Sequence, residues 1–195
     1  MFQPLFQYIE QKSGCKLALE EEVLVQEVFK LRKFRKKQYL LQEGDVCKHM
    51  VFVIKGAARM YSVDEKGHEH IIRFGVEGWW LGDYESYMLE TPTRFHVEML
   101  ENSELLMAAK EQMEDLIEKV PAVKQMINVI DKQSAIANQQ RIHTAISLTA
   151  EDRYEALMQS HPEFLQRFPQ TMIASYLGIT AETISRIKKK LVYKK

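Results

Sequence analysis

The sequence predicts an α+β chain in three parts: an N-terminal β jelly roll, a long helix and a small C-terminal helix-turn-helix domain. Three observations carry this. Between positions 34 and about 107, short β-rich segments alternate with glycine-bearing turns, the texture of a β-barrel or jelly roll. From 121 to 148 an uninterrupted helical pattern carries more apolar residues than are needed to cover one roll. Residues 169–191, PQTMIASYLGITAETISRIKKKL, read as two short helices about a sharp turn. The boundaries follow as 1–119 for the roll with its flanking helices, 120–148 for the long helix and 149–195 for the helix-turn-helix domain.

In chain order, 4–13 and 19–29 read as two amphipathic helices separated by Gly14. Strands are expected at 39–41, 50–54, 57–61 and 70–74, with turns at Glu43-Gly44-Asp45, Lys55-Gly56, 64–67 and Glu77-Gly78. A short helix is expected at 111–118. Pro121 then opens the long one, because proline is tolerated in a first helical turn. Its apolar surface is made by Val123, Met126, Ile127, Val129, Ile130, Ile136, Ala137, Ile142, Ala145 and Ile146. Ser134, Asn138, Gln139 and Gln140 interrupt it, either to fix register and pairing or to face a ligand pocket. A further helix at 151–160 ends at His161-Pro162.

Charge separates along the chain. The 27 basic and 27 acidic residues cancel overall, yet from Phe168 onward Glu182 is the only acid among Arg186, Lys188, Lys189, Lys190, Lys194 and Lys195. An acidic body with a basic end suits a protein whose nucleic-acid contact is confined to that end. Two cysteines, Cys15 and Cys47, cannot build a disulfide framework, no apolar run reaches the ~18 residues of a membrane span, and the N-terminus lacks a signal-peptide pattern. The expectation is a cytoplasmic protein without a membrane partner.

Within 169–191, Gly178 supplies the left-handed turn and Thr180 the N-cap of the second helix. Ile184, Ile187 and Leu191 form an apolar face against Ile173, Ala174 and Leu177, while Glu182, Ser185, Arg186 and Lys189 share the opposite face. Such a face suits the major groove of DNA, with the lone Glu182 placed to accept from a cytosine amino group. Thr180-Ala181-Glu182-Thr183-Ile184-Ser185-Arg186 closely resembles the recognition helix of the Crp/Fnr bacterial transcription regulators, and its Glu-x-x-Ser-Arg spacing is similar to the fumarate-nitrate-reductase branch. The candidate DNA contacts are Thr171, Thr180, Glu182, Thr183, Ser185, Arg186, Lys189 and Lys190. The resemblance implies that Arg186 reads guanine, Glu182 cytosine and Ser185 an adjacent thymine, in TTGA-like half-sites of an inverted repeat. It also implies a homodimer through the long helix, and RNA polymerase as a partner. Relatives continue into a β-wing, whereas this sequence stops at Lys195, so residues 188–195 are expected to take over part of its phosphate contacts.

The roll carries the resemblance further. KQYLLQEGDV at 37–46, FVIKG at 52–56, the hairpin at 64–67 and Glu77-Gly78 leading to Gly82-Asp83 resemble a cyclic-nucleotide-binding domain, so the likeness covers nearly the whole chain. In that family a Gly-Glu pair and a following arginine hold ribose and cyclic phosphate. Here Gly82-Asp83 takes the first place, and the arginine position falls on Thr93. Arg94 is adjacent but belongs to the other face of an extended strand. Asp83, Glu85, Glu90 and Glu98 make the surroundings repel an anion. The effector pocket is therefore expected at Gly82, Asp83, Thr93 and Arg94, with Ser134 and Asn138 from the long helix, diverged and not binding cyclic AMP. A loop distortion turning Arg94 inward would be the exception. An unidentified small molecule is left as effector.

Other chemistries fit worse. An iron–sulfur cluster needs about four thiolates. His68-Glu69-His70 lies at a hairpin turn, and Glu77 comes too late for a cupin metal set, so solvated histidines are expected. His96 beside Glu98 has no nucleophile to activate. Trp79, Trp80, Tyr84 and Tyr87 belong either to the core or to an apolar ligand site. No catalytic residue, metal or cofactor is assigned. The alternatives are a ligand-responsive module acting on a protein partner, which would keep the arginine and lack a recognition helix, and a jelly-roll metalloenzyme, which would need a complete ligand set.

Overall fold

The computed structural model describes residues 1–193. Backbone contacts divide the chain into two compact units, Met1–Ser62 with Ile72–Gln133, and Val63–Ile71 with the residues from Ser134 onward.

The first unit opens with α1 (Gln3–Ser13) and α2 (Leu19–Val28). The strands follow: β1 (Lys30–Phe34), β2 (Tyr39–Leu41), β3 (His49–Lys55), β4 (Ala58–Val63), β5 (Glu69–Gly75), β6 (Trp80–Leu81), β7 (His96–Met99) and β8 (Ser103–Ala109). They form two four-stranded sheets, ordered β1-β8-β3-β6 and β2-β7-β4-β5. Leu41, Val51, Val53, Ala58, Val97, Met99 and Leu105 come from both sheets and fill the space between them. This is the expected jelly roll. The other face of the first sheet is buried too. Phe52 and Leu106 pack under Leu5 and Ile9 of α1, Val25 of α2, Met113 and Leu116 of α4 (Lys110–Lys119), and Val123 and Met126 of α5 (Pro121–Ser147). Trp80 lies in this second cluster, with its ring 5.1 Å from Phe52, 6.1 Å from Phe29 and 6.1 Å from Tyr8. Of its two readings, Trp80 takes the packing one.

Strand β1 starts four residues before the expected β region. KLRKF carries no clear apolar alternation, but β8 offers it an antiparallel ladder from Lys30↔Met107 to Phe34↔Ser103. Pairing, rather than propensity, makes the strand. The short helix α3 (Tyr84–Leu89) was not expected; it exists because the Asp83 carboxylate caps it, accepting from the Glu85 N–H at 3.1 Å. Gly56, between β3 and β4, sits at φ 103°, and a Cβ there would stand 2.2 Å from Ser103 Oγ. Only glycine fits both demands.

Helix α5 changes character along its length. Ala122, Val123 and Met126 are buried, and Ile127 and Ile130 pack against the same cluster. Farther on, Ile136, Ile142 and Ile146 are 55, 61 and 80% exposed.

The second unit holds α6 (Ala150–Ser160), α7 (Pro162–Arg167), α8 (Gln170–Leu177) and α9 (Ala181–Tyr193). Helix α6 starts with a capping box: Asp152 N–H donates to the Thr149 hydroxyl, and Thr149 N–H donates to the Asp152 carboxylate, both at 3.2 Å. Tyr154, Leu157, Phe164, Phe168, Ile173, Ala174, Ile184 and Ile187 are buried among these helices. Helix α7 was missed in the sequence because His161-Pro162 both ends α6 and supplies a proline at the start of the next helix. The 63–71 hairpin belongs to the same unit. Ser175 of α8 donates its hydroxyl to Glu69 C=O at 3.0 Å and accepts from Ile71 N–H at 2.9 Å, closing two backbone groups of the edge strand β5.

Candidate nucleic-acid interface and sensor pocket

Helix α9 is presented by a turn that its own residues dictate. Gly178 adopts φ 65°, ψ 38° and its N–H bonds back to Ala174 and Ser175 carbonyls, stopping α8. Thr180 caps α9 by accepting from Thr183 N–H at 3.2 Å. Ile184 and Ile187 are then buried, and Glu182, Ser185, Arg186 and Lys189 are all exposed on the other side.

The exposed face is organised from within. Arg186 donates to the Thr183 hydroxyl at 3.2 Å, which turns the guanidinium toward the start of the helix. The Glu182 carboxylate lies below its usual range, chiefly because its own backbone N–H bonds to it, then because Thr180 does. It is ionised at neutral pH, as accepting from a base requires. Gln170, at the start of α8, was not singled out in the sequence. Its amide donates to Ala181 C=O and to Ser185 Oγ, both at 2.9 Å, and accepts from Lys188 Nζ at 3.2 Å, tying α8 to α9. Nothing local to Gln170 signals this, since its partners lie 11, 15 and 18 residues away. Thr171 is exposed beside it.

The lysines divide. Lys189 has no carboxylate partner among the described residues, whereas Lys190 is ion-paired with Glu151 of α6, which raises its pKa. Lys190 therefore joins α9 to α6 within the unit. Lys194 and Lys195 lie outside the described residues.

In the roll, the expected effector residues fall into two groups. Gly82, Asp83, Thr93 and Arg94 lie in the first unit, and Ser134 and Asn138 in the second. Thr93 is 3% exposed and Asp83 6%, and the Thr93 hydroxyl donates to the Asp83 carboxylate at 2.7 Å. The Thr93 backbone is also occupied: its N–H donates to Asp45 C=O and its C=O accepts from Gly44 N–H, both at 2.8 Å. Arg94 points to solvent, with its side chain 71% exposed and 3.6 Å from Glu85. Where a phosphate would need a cation, the loop presents a buried carboxylate satisfied by its own threonine.

His96 and Glu98 are not a reactive pair. Glu98 Oε2 on β7 accepts from both Arg59 Nε at 2.8 Å and Nη2 at 2.7 Å, a buried charge-assisted contact across the β4–β7 ladder. Arg59 also lies 4.2 Å from the Tyr61 ring, which stacks on His96 at 5.1 Å. At the hairpin, His68 and His70 both bond to Asp64 Oδ2, at 3.2 and 3.1 Å, with their rings largely exposed. Among the described residues no helix is long and apolar enough to cross a membrane.

Comparison with known proteins agrees with this geometry. The sequence pattern of the cyclic nucleotide-binding domain matches residues 31–120. The regulatory protein HlyX of Actinobacillus pleuropneumoniae is 27% identical over 164 residues, covering 78% of this chain and 68% of that protein. The fumarate and nitrate reduction regulatory protein of Vibrio cholerae is 28% identical over 179 residues, covering 86% and 71%. Among solved structures, FixK2 of Bradyrhizobium japonicum has the same fold, with a TM-score of 0.72 over 86% of each chain at 18% identity.

Proposed function

We propose that the chain is a Crp/Fnr-type DNA-binding regulator, like the relatives it resembles, and that it acts as a homodimeric, sequence-specific transcription regulator. Its working parts are a sensor at 1–119, a dimerisation helix at 120–148 and a DNA-binding domain from 149. Its operator is an inverted repeat of TTGA-like half-sites, matching the two-fold symmetry of the protein, and RNA polymerase is the partner it regulates. What supports this reading most is the two-faced α9, with Ile184 and Ile187 buried while Glu182, Ser185, Arg186 and Lys189 stay exposed. The exposed isoleucines of α5 support the dimer.

Selection of bound duplexes from a random pool, with and without a small-molecule extract, tests it. An enriched inverted repeat is expected; recovery of unrelated sequences would overturn the reading. Arg186→Ala should lose about 1–3 kcal/mol per half-site and relax preference at the guanine. Glu182→Ala should raise non-specific affinity while lowering the specific-to-non-specific ratio, and an unchanged ratio at matched salt would remove Glu182 as a base reader. Lys189→Ala should weaken binding to all sequences alike and flatten the salt dependence by about one unit of slope.

The sensor is not a cyclic-nucleotide receptor in this reading. Admitting a cyclic phosphate would place an anion beside buried Asp83, with Arg94 turned away. Calorimetry should find neither cyclic AMP nor cyclic GMP bound at micromolar concentration. Binding abolished by Arg94→Ala would instead mean that the loop rearranges to bring Arg94 inward.

A further inference from the structure

A groove of about 310 Å³ enters the roll beside the start of β3. Its floor is apolar, made by buried Leu41, Cys47 and Val51 with Leu40, Val46 and Met107 around them. Of the expected effector residues Gly82 lines it and Asp83, Thr93 and Arg94 do not; the groove adjoins the Asp83–Thr93 site through Cys47, which bonds to the Asp83 backbone.

The rim is cationic. Lys48 and His49 line it and are exposed, and Lys30 and Arg32 of β1 lie on the same face. This follows from register: Lys30 pairs with Met107, which pairs with Val51, and Arg32 pairs with Leu105, which pairs with Val53. Ladder partners share a face. The one acid on the rim, Asp45, accepts from Gln42 N–H at 2.9 Å and is engaged in its own turn. Burial first, then the charges of Arg32 and Lys48, lower the His49 pKa, so it is a neutral donor near pH 7.

An apolar floor under a rim of cations fits a ligand with one apolar and one anionic end. We propose that this groove binds a small amphipathic anion, a carboxylate on an apolar body of about eight to ten carbons, the size a cavity near the lower limit for small-molecule sites accepts. The proposal rests on the first unit alone and stands or falls separately from the DNA reading.

Calorimetry on the full chain with octanoate, octanol and octylamine tests it. Octanoate should bind, octanol about tenfold more weakly, since each tenfold is about 1.4 kcal/mol, and octylamine not measurably. Arg32→Glu with Lys48→Glu, both exposed, should reverse the order of acid and amine. Met107→Trp should fill the groove and abolish binding of all three. Absence of octanoate binding at millimolar concentration would overturn the proposal. So would equal binding of acid and alcohol, or an acid preference that survives the charge reversal. Should Met107→Trp fail to fold, the charge-reversed variant still decides.

Discussion

Ile136→Glu with Ile142→Glu is expected to give monomers whose operator affinity falls on the order of 10²–10⁴-fold, the avidity lost when two linked half-site contacts become independent. Both isoleucines lie on the part of α5 where they are 55 and 61% exposed, so charge there should leave the subunit folded. Ile130, attractive from the sequence alone, is a poor choice because it packs against the subunit's own core. Sedimentation and duplex titration decide the matter. A wild-type protein that stays monomeric at micromolar concentration, free and on DNA, would remove the dimer from the proposal.

Glu98→Ala is expected to destabilise the roll by about 1.5–3 kcal/mol, because it removes the carboxylate oxygen that accepts from both Arg59 Nε and Nη2 in a buried setting. The two side chains are only 10 and 12% exposed, so water does little to replace the lost contact. Replacing both, Arg59→Met with Glu98→Leu, should lose less than the two single losses added together, since the two side chains act as one unit. Denaturant titrations of the two single variants and the double give the coupling. If the double variant loses the sum of the singles, the pair is not the unit argued here.

The long helix and the two faces of α9 were legible because their signals are short-range. A glycine able to take φ 65° stops α8, a threonine three residues before its partner caps α9, and apolar residues at i, i+3 and i+7 choose its buried face. Thr93 does turn inward and Arg94 outward, but on a bend before β7 rather than on the extended strand expected from the sequence. Other features depended on partners far away in sequence. Strand β1 exists because β8, about seventy residues later, pairs with it. Lys190 reads in the sequence as one more cation of the basic end, yet Glu151, 39 residues earlier, holds it. Ser175 reads as an ordinary helix residue, yet it brackets a hairpin more than a hundred residues away. Capping, turn conformation and helical periodicity are settled within a few residues of backbone. Which charge is left free to meet a phosphate is settled only when packing brings distant side chains within hydrogen-bond reach.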